Sequence, residues 1–187
     1  MHRQKKNDPL IILRALEPTD IDWLFRWEND PETWKVSNTI TPYSRYTLEK
    51  YIENAHLDLY QIKQLRMMID VKEPPVKKAR PIGTIDLFDF DPFHNRAGIG
   101  ILIGEKSDRN KGYASEALSQ FIRYAFETLQ LHQLYCNIAT DNLESIGLFT
   151  RNGFSITGEK KDWLKTGARY KNEYLLQLIH SSDSSWQ

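Results

Sequence analysis

Gly98-Ile99-Gly100-Ile101-Leu102-Ile103-Gly104, followed by Arg109-Asn110-Lys111-Gly112-Tyr113-Ala114, is the stretch whose reading decides the fold. It reads as strand, short loop and the start of a helix that runs amphipathically to Leu129. The strand is apolar enough to be buried, yet glycine interrupts it three times. Glycine inside a strand marks a bulge or a close approach by another backbone or a ligand. The loop then opens a helix on small residues, and a helix start carries unpaired N–H groups that suit phosphate. Room beside a strand, leading into an anion-ready helix start, fits a long ligand containing a diphosphate. Two other glycine motifs fail here. A dinucleotide fingerprint needs glycine at 103, where Ile103 stands, and a P-loop needs glycine before its lysine, whereas Lys111 precedes Gly112. The remaining alternative is that the glycines only ease packing where strands cross.

The chain has 187 residues, enough for one domain with a sizeable core. Its 25 basic and 25 acidic side chains balance. That neutrality argues against a nucleic-acid partner, which needs a basic face, and against a polybasic membrane-surface protein. The single cysteine, Cys136, excludes an internal disulfide and fits a reducing compartment. It lies in an apolar strand pattern, so it reads as a buried, inert thiol. No secretory leader or membrane-length apolar run is legible, so a cytoplasmic location is expected.

Taken in order, 1–8 reads as a polar tail, 9–180 as one domain, and the Ser-rich 181–187 as a second tail. Leu10–Leu16 is a first strand. A helix follows from Pro18, with Ile21, Leu24, Phe25 and Trp27 on its apolar face, and ends at Asn29-Asp30-Pro31. Residues 32–46 read as a loop with one helical turn. Thr47–His56 reads as a second helix with Thr47 as its cap. Leu65–Val71, Ile82–Phe90 and Arg96–Gly104 are strands two to four, the last two a hairpin. Between strands two and three lies a Pro-rich basic connection, Lys72–Pro81, which reads as a solvated face. After the amphipathic helix come a fifth strand, Leu134–Ala139, a helix capped by Asp141 or Asn142, and a helix stop at Gly153. Phe154–Gly158 and Arg169–Leu178 close the chain as an antiparallel pair. The strand–helix–strand step makes strands four and five parallel within an otherwise antiparallel sheet, an α/β (α+β) order.

At this point the residues resemble the GCN5-related N-acetyltransferase (GNAT) family. Arg109-Asn110-Lys111-Gly112-Tyr113-Ala114 is similar to its acetyl-CoA motif, Gln/Arg-x-x-Gly-x-Gly/Ala. Asn142-x-x-Ser145, Leu148-Phe149 and Gly153-Phe154 are similar to its second motif. The step His94-Asn95-Arg96-Ala97 resembles the branch holding spermidine and ribosomal-protein N-acetyltransferases. The resemblance spans Leu10 to Leu178. It implies a splayed fourth and fifth strand, with the pantetheine arm of acetyl-CoA pairing with Ile101, Leu102 and Ile103. It implies a diphosphate resting on Arg109, Asn110, Lys111, Gly112, Tyr113, Ala114 and Ser115, with Asn142 and Ser145 near the pantetheine. A small-molecule or peptide amine would be the acceptor, with no metal; a homo-oligomer is compatible.

The chain departs from the family in its proton handling. Gly98 stands where many members carry a strand glutamate as base, and Phe149 where a tyrosine protonates the leaving thiolate. Asp86, Asp89 and His94 are the replacement candidates. Glu116 instead suits the helix dipole. Glu28, Asp30 and Glu32 cluster near a cleft that Trp34 and Tyr43 would line, with Tyr46 beside it. The stretch from Trp34 to Tyr43 lacks the acidic residues of polyamine-acetylating relatives. The sequence therefore leaves two functions open: an N-acetyltransferase acting by direct attack of a primary amine in a ternary complex, or a non-catalytic acyl-CoA sensor on the same fold.

Overall fold

The computed structural model describes residues 9–37, 39–75 and 78–180. The two expected tails, 1–8 and 181–187, lie outside them. The strands β1 (Leu10–Ala15), β2 (Leu65–Lys72), β3 (Arg80–Asp91), β4 (Arg96–Ile103), β5 (Gln133–Ala139), β6 (Ser155–Thr166) and β7 (Arg169–Ile179) form one sheet, ordered β1-β2-β3-β4-β5-β7-β6. Every neighbouring pair is antiparallel except β4–β5, which is parallel.

Helices α5 (Tyr113–Arg123) and α6 (Leu143–Arg151) cover one face. α1 (Ile21–Glu28) and α3 (Arg45–Glu53) cover part of the other, with α2 (Pro31–Ser37) beside them and the single turn α4 (Leu59–Ile62) near the start of β2. Alternation along β4 serves both layers: Ile99 and Ile103 join the α5 side, and Leu102 packs with Trp27 and Leu48 on the α1 side. The stripe of α5 is the centre of the larger cluster. Ala117, Leu118, Phe121 and Ile122 are all buried, as is Ala125 in the π-helical turn Tyr124–Thr128 that continues it, and each large member contributes about 1.5–3 kcal/mol by leaving water.

β4 and β5 pair only at Arg96–Gln133, Ala97–Leu134 and Gly98–Tyr135. Beyond Gly98 the strands diverge. Each is held on its outer side, β4 by β3 up to Ile103 and β5 by β7 along its whole length. The gap therefore opens without loosening either strand.

Three local expectations are corrected. α3 starts at Arg45, because Ser44 caps it and its Oγ accepts from the Thr47 N–H at 3.0 Å. Residues 31–37 form two helical turns, where a mostly open loop was expected. β6 continues well past Gly158, to Thr166, through a bulge at Lys161–Trp163 where Asp162 takes a φ of +47°. Charged residues on both faces of this edge strand hid its periodicity.

Gly98 is a packing requirement. A Cβ there would lie 2.2 Å from the Phe88 ring, which covers it. Gly98→Ala is expected to lower stability by about 1–3 kcal/mol through overpacking, measured by urea or thermal unfolding; an unchanged midpoint would contradict the close contact.

Candidate active site

The gap between β4 and β5 leads into a cavity of about 670 Å³ on the α1 side of the sheet. One wall is β3 and β4, with Thr84, Asp86, Phe88 and the segment Ile99–Leu102. A second is built by Glu28, Thr33, Tyr43, Leu48 and Tyr51 from the helical layer. The third lies across the gap: Asn137 of β5, Lys160 and Trp163 of β6, and Glu173 of β7.

The cavity is charged and its charges are paired. Arg66 of β2 donates to Glu28 Oε1 at 2.5 Å and to both carboxylate oxygens of Asp86. Burial opposes the Arg66 charge, but Asp86 and Glu28 overcome that penalty, and the net effect raises its pKa. Across the gap, Lys160 Nζ donates to Glu173 Oε2 at 2.9 Å and to Asn137 Oδ1 at 2.7 Å. It also stands 5.0 Å from the centre of the Trp163 ring, which the β6 bulge turns toward the cavity. The lining thus carries three carboxylates against two cations. Two buried hydroxyls of lining residues, Thr33 Oγ1 and Thr84 Oγ1, have no hydrogen-bond partner among the described residues. Unpaired buried polar groups cost about 1–3 kcal/mol each, so they point to a polar occupant.

The β4 edge supplies main-chain groups. The Gly104 N–H donates to Ile82 O, and the Leu102 carbonyl faces Gly83 on β3. Alternation then turns the groups of Ile101 and Ile103 toward the gap. Leu102, expected to pair with a ligand, instead directs its main chain at β3. Its side chain still lines the cavity.

The loop after β4 is held from below. Arg80 grips Asp108 with two bonds of 2.7 Å, and Lys111 Nζ lies 3.5 Å from the same carboxylate. Arg80 also reaches Glu73 at 3.2 Å, and Glu73 accepts from Tyr113 Oη at 2.7 Å. Burial, then the Glu73 bond, push the Tyr113 phenol up to about 12. Arg109 Nε donates to Ile103 O. Asn110 and Gly112 take left-handed backbone, φ +60° and +83°, and open space surrounds Gly112. The first amides of α5 therefore start beside the open end of the gap, at Tyr113, Ala114 and Ser115. Ser115 Oγ accepts from Asn152 at 3.1 Å, tying this turn to the end of α6. The basic connection read as a solvated face thus contains Arg80, a clamp on the loop.

Asn142 caps α6, its Oδ1 accepting from the Ser145 N–H at 3.1 Å. Phe149 is 4% exposed and stacks edge-on against Phe154 in the core. Of the three candidate bases, Asp86 lines the cavity, while Asp89 and His94 are outside its lining. Asp89 sits in the β3 bulge, exposed, and accepts from Tyr135 Oη at 3.3 Å. His94 is exposed in the β3–β4 turn against Phe93. Glu28 and Tyr43 line the cavity; Trp34 instead donates to Glu28 O at 2.6 Å, and its neighbour Thr33 takes the lining position. Arg66, Lys160, Trp163 and Glu173 were not singled out from sequence. Cys136 is buried and its thiol is pushed up to about 12 by burial, as an inert cysteine would be.

Residues 11–155 match the model of the acetyltransferase (GNAT) domain. The chain belongs to the GNAT acetyltransferase family. The uncharacterized N-acetyltransferase p20 of Bacillus licheniformis is 31% identical over 170 residues, covering 90% of this chain and 92% of that protein. A spermidine N(1)-acetyltransferase of Vibrio cholerae is 24% identical, covering 89% and 93%. Among solved structures, the Vibrio cholerae spermidine N-acetyltransferase in complex with CoA and spermine superposes with a TM-score of 0.78 at 22% identity, covering 90% and 95%. A dodecameric structure of the Vibrio cholerae enzyme gives 0.71 at 24% identity, covering 90% and 93%. These are GNAT folds, and so is this one. None of the described helices is long and apolar enough to cross a membrane.

The loop clamp is testable. Arg80's bonds hold the Asp108 carboxyl below its usual range against the opposing cost of burial. A depressed folded-state pKa adds stability that is complete above the unfolded value, about 3.9, and is lost as pH falls through the folded one. Asp108→Asn is expected to lower the Tm at neutral pH by weakening the hold of Arg80 on the loop. Its Tm deficit relative to the parent is expected to be constant above about pH 5 and to shrink below it. Thermal melts from pH 2 to 8 check this; a deficit that grows on acidification would contradict the clamp.

Proposed function

We propose that this acetyltransferase moves the acetyl group of acetyl-CoA to a primary amine by direct attack in a ternary complex. The end of β4–β5 pairing at Gly98–Tyr135 is the observation that carries this reading. It leaves main-chain groups of Ile101 and Ile103 facing a gap whose open end meets the start of α5. An amide-rich pantetheine arm satisfies such an edge as an added strand does. The diphosphate rests on the loop from Arg109 to Gly112 and on the first amides of α5, Tyr113, Ala114 and Ser115. Asn142 and Ser145, at the start of α6, complete the arm's surroundings. The CoA-bound relative supports this assignment.

The acceptor enters the charged cavity. The paired carboxylates there suit an ammonium, and the relative bound to spermine supports an amine. Here the lining carries only one carboxylate more than its cations, so an acceptor with a single positive charge fits better than a polyamine with several. Its aromatic members, Tyr43, Tyr51, Phe88 and Trp163, favour an acceptor with an apolar body. For transfer, the ammonium loses a proton, its usual pKa being about 10. The nitrogen attacks the thioester carbon, and the Ile101 N–H is the main-chain donor aimed at the developing oxyanion. Phe149 has no proton to give, and a thiol of pKa about 8.5 leaves as thiolate without it.

Calorimetry with acetyl-CoA and thiol release with three acceptors test the reading: phenethylamine, a tetrapeptide with a free N-terminus, and spermidine. Acetyl-CoA is expected to bind, and at least one singly charged acceptor is expected to exceed spermidine in kcat/KM by about tenfold or more. Binding without thiol release from any acceptor would favour a non-catalytic acyl-CoA sensor. Absence of binding would overturn both.

A further inference from the structure

We infer that Glu173 takes the proton from the acceptor ammonium, with Lys160 and Asn137 as its positioning residues. This rests on the transfer reading above.

The two carboxylate groups nearest the gap lie on the same face of the sheet, on opposite sides of the opening. Asp86 pairs across with Gly100, and Glu173 pairs across with Ala139 and Lys160. They differ in how their oxygens are used. Both oxygens of Asp86 accept from Arg66. Glu173 is 5% exposed, and only its Oε2 is engaged, by Lys160; Oε1 has no partner among the described residues. A buried carboxylate on a cavity wall with one oxygen held and one open is placed to accept a proton.

The holding is firm. Lys160 bridges Glu173 and Asn137 and lies 5.0 Å from the centre of the Trp163 ring, so three contacts orient the carboxylate. The other places where proton handling was expected are closed. Gly98 lies under the Phe88 ring, Phe149 is in the core, and Asp89 and His94 stand outside the lining. Thr84, 1% exposed, and Thr33, 3% exposed, leave unpaired hydroxyls in the same cavity. They are unpaired polar groups on two different walls, the helical one and the β3–β4 one.

The balance is simple. Glu173 Oε1 accepts one proton from the ammonium and later returns it to water. The freed nitrogen pair forms the C–N bond as the C–S bond breaks. The second nitrogen proton goes to the thiolate through solvent, giving amide, free thiol and one released proton.

The test compares Glu173→Gln with the parent across pH, using the tetrapeptide and phenethylamine. At pH 7 kcat is expected to fall about 10²–10⁴-fold. The acetyl-CoA KM is expected to stay within about threefold, as for loss of an interaction made only in the transition state. The deficit is expected to close as pH passes the acceptor's own pKa, near 8 for the peptide and near 10 for phenethylamine. A purely structural role does not make the closing pH follow the acceptor. A deficit equal at every pH, or confined to KM, with normal parent turnover, overturns Glu173 alone. Absence of parent turnover overturns the transfer reading with it. If Glu173→Gln does not fold, the exposed Asn137→Ala reads the same property. It is expected to lower kcat about tenfold with KM unchanged, and an unchanged kcat overturns the proposal.

Discussion

Everything in this structure depends on a sheet that stops pairing in its middle. A strand edge carries N–H and C=O groups that must be satisfied by a strand, by water or by a ligand. β4 and β5 share three residue pairs and then part, although beyond that point each remains paired to its outer neighbour. The sheet can therefore be rigid and open at once. The crossover helix α5 begins after the loop that follows β4, and Arg109 ties that loop to the last residue of the strand. Neither feature alone selects a ligand. Together they are what the proposed thioester carrier, with its amide-bearing arm and anionic end, requires.

The polar groups around the opening are costly to bury and are paired accordingly. Removing a partner from such a pair strands a charge, and this costs about 3–5 kcal/mol in buried examples. Arg66 with Glu28 and Asp86, and Lys160 with Glu173, meet that requirement on opposite walls. A third group, Arg80 with Asp108, fixes the loop that joins β4 to α5. The three share one logic: long basic side chains from neighbouring strands hold acids whose places the local chain does not define. Among the described residues that line the cavity, the hydroxyls of Thr33 and Thr84 remain without a partner.

Much of this was legible in the sequence. Period-two and helical patterns placed the elements, and a strand–helix–strand step predicted the parallel pair. The glycines marked the strand that parts from its neighbour, and the Arg109–Ala114 loop marked the start of α5, because turn chemistry is local. Pairings between distant residues were not legible. Arg66 is 38 residues from Glu28, and Arg80 is 28 from Asp108, so no spacing rule links them. Lys160 meets Glu173 only because the long hairpin β6–β7 sets its register around a bulge. Gly98 looked like a lost catalytic position. In the fold it is the floor on which Phe88 lies. Trp34 has the composition of a cleft residue, but a main-chain bond to Glu28 turns its indole away and presents Thr33.

Amide hydrogen exchange on β4 tests the central claim most directly. Without ligand, the Leu102 amide is expected to be protected by β3 while the Ile101 amide exchanges faster, because its side of the strand is open. Saturating acetyl-CoA is then expected to slow Ile101 and leave Leu102 unchanged. Equal protection of both amides in the free protein, or an Ile101 rate that acetyl-CoA does not alter, would contradict an open strand edge that receives the thioester's arm.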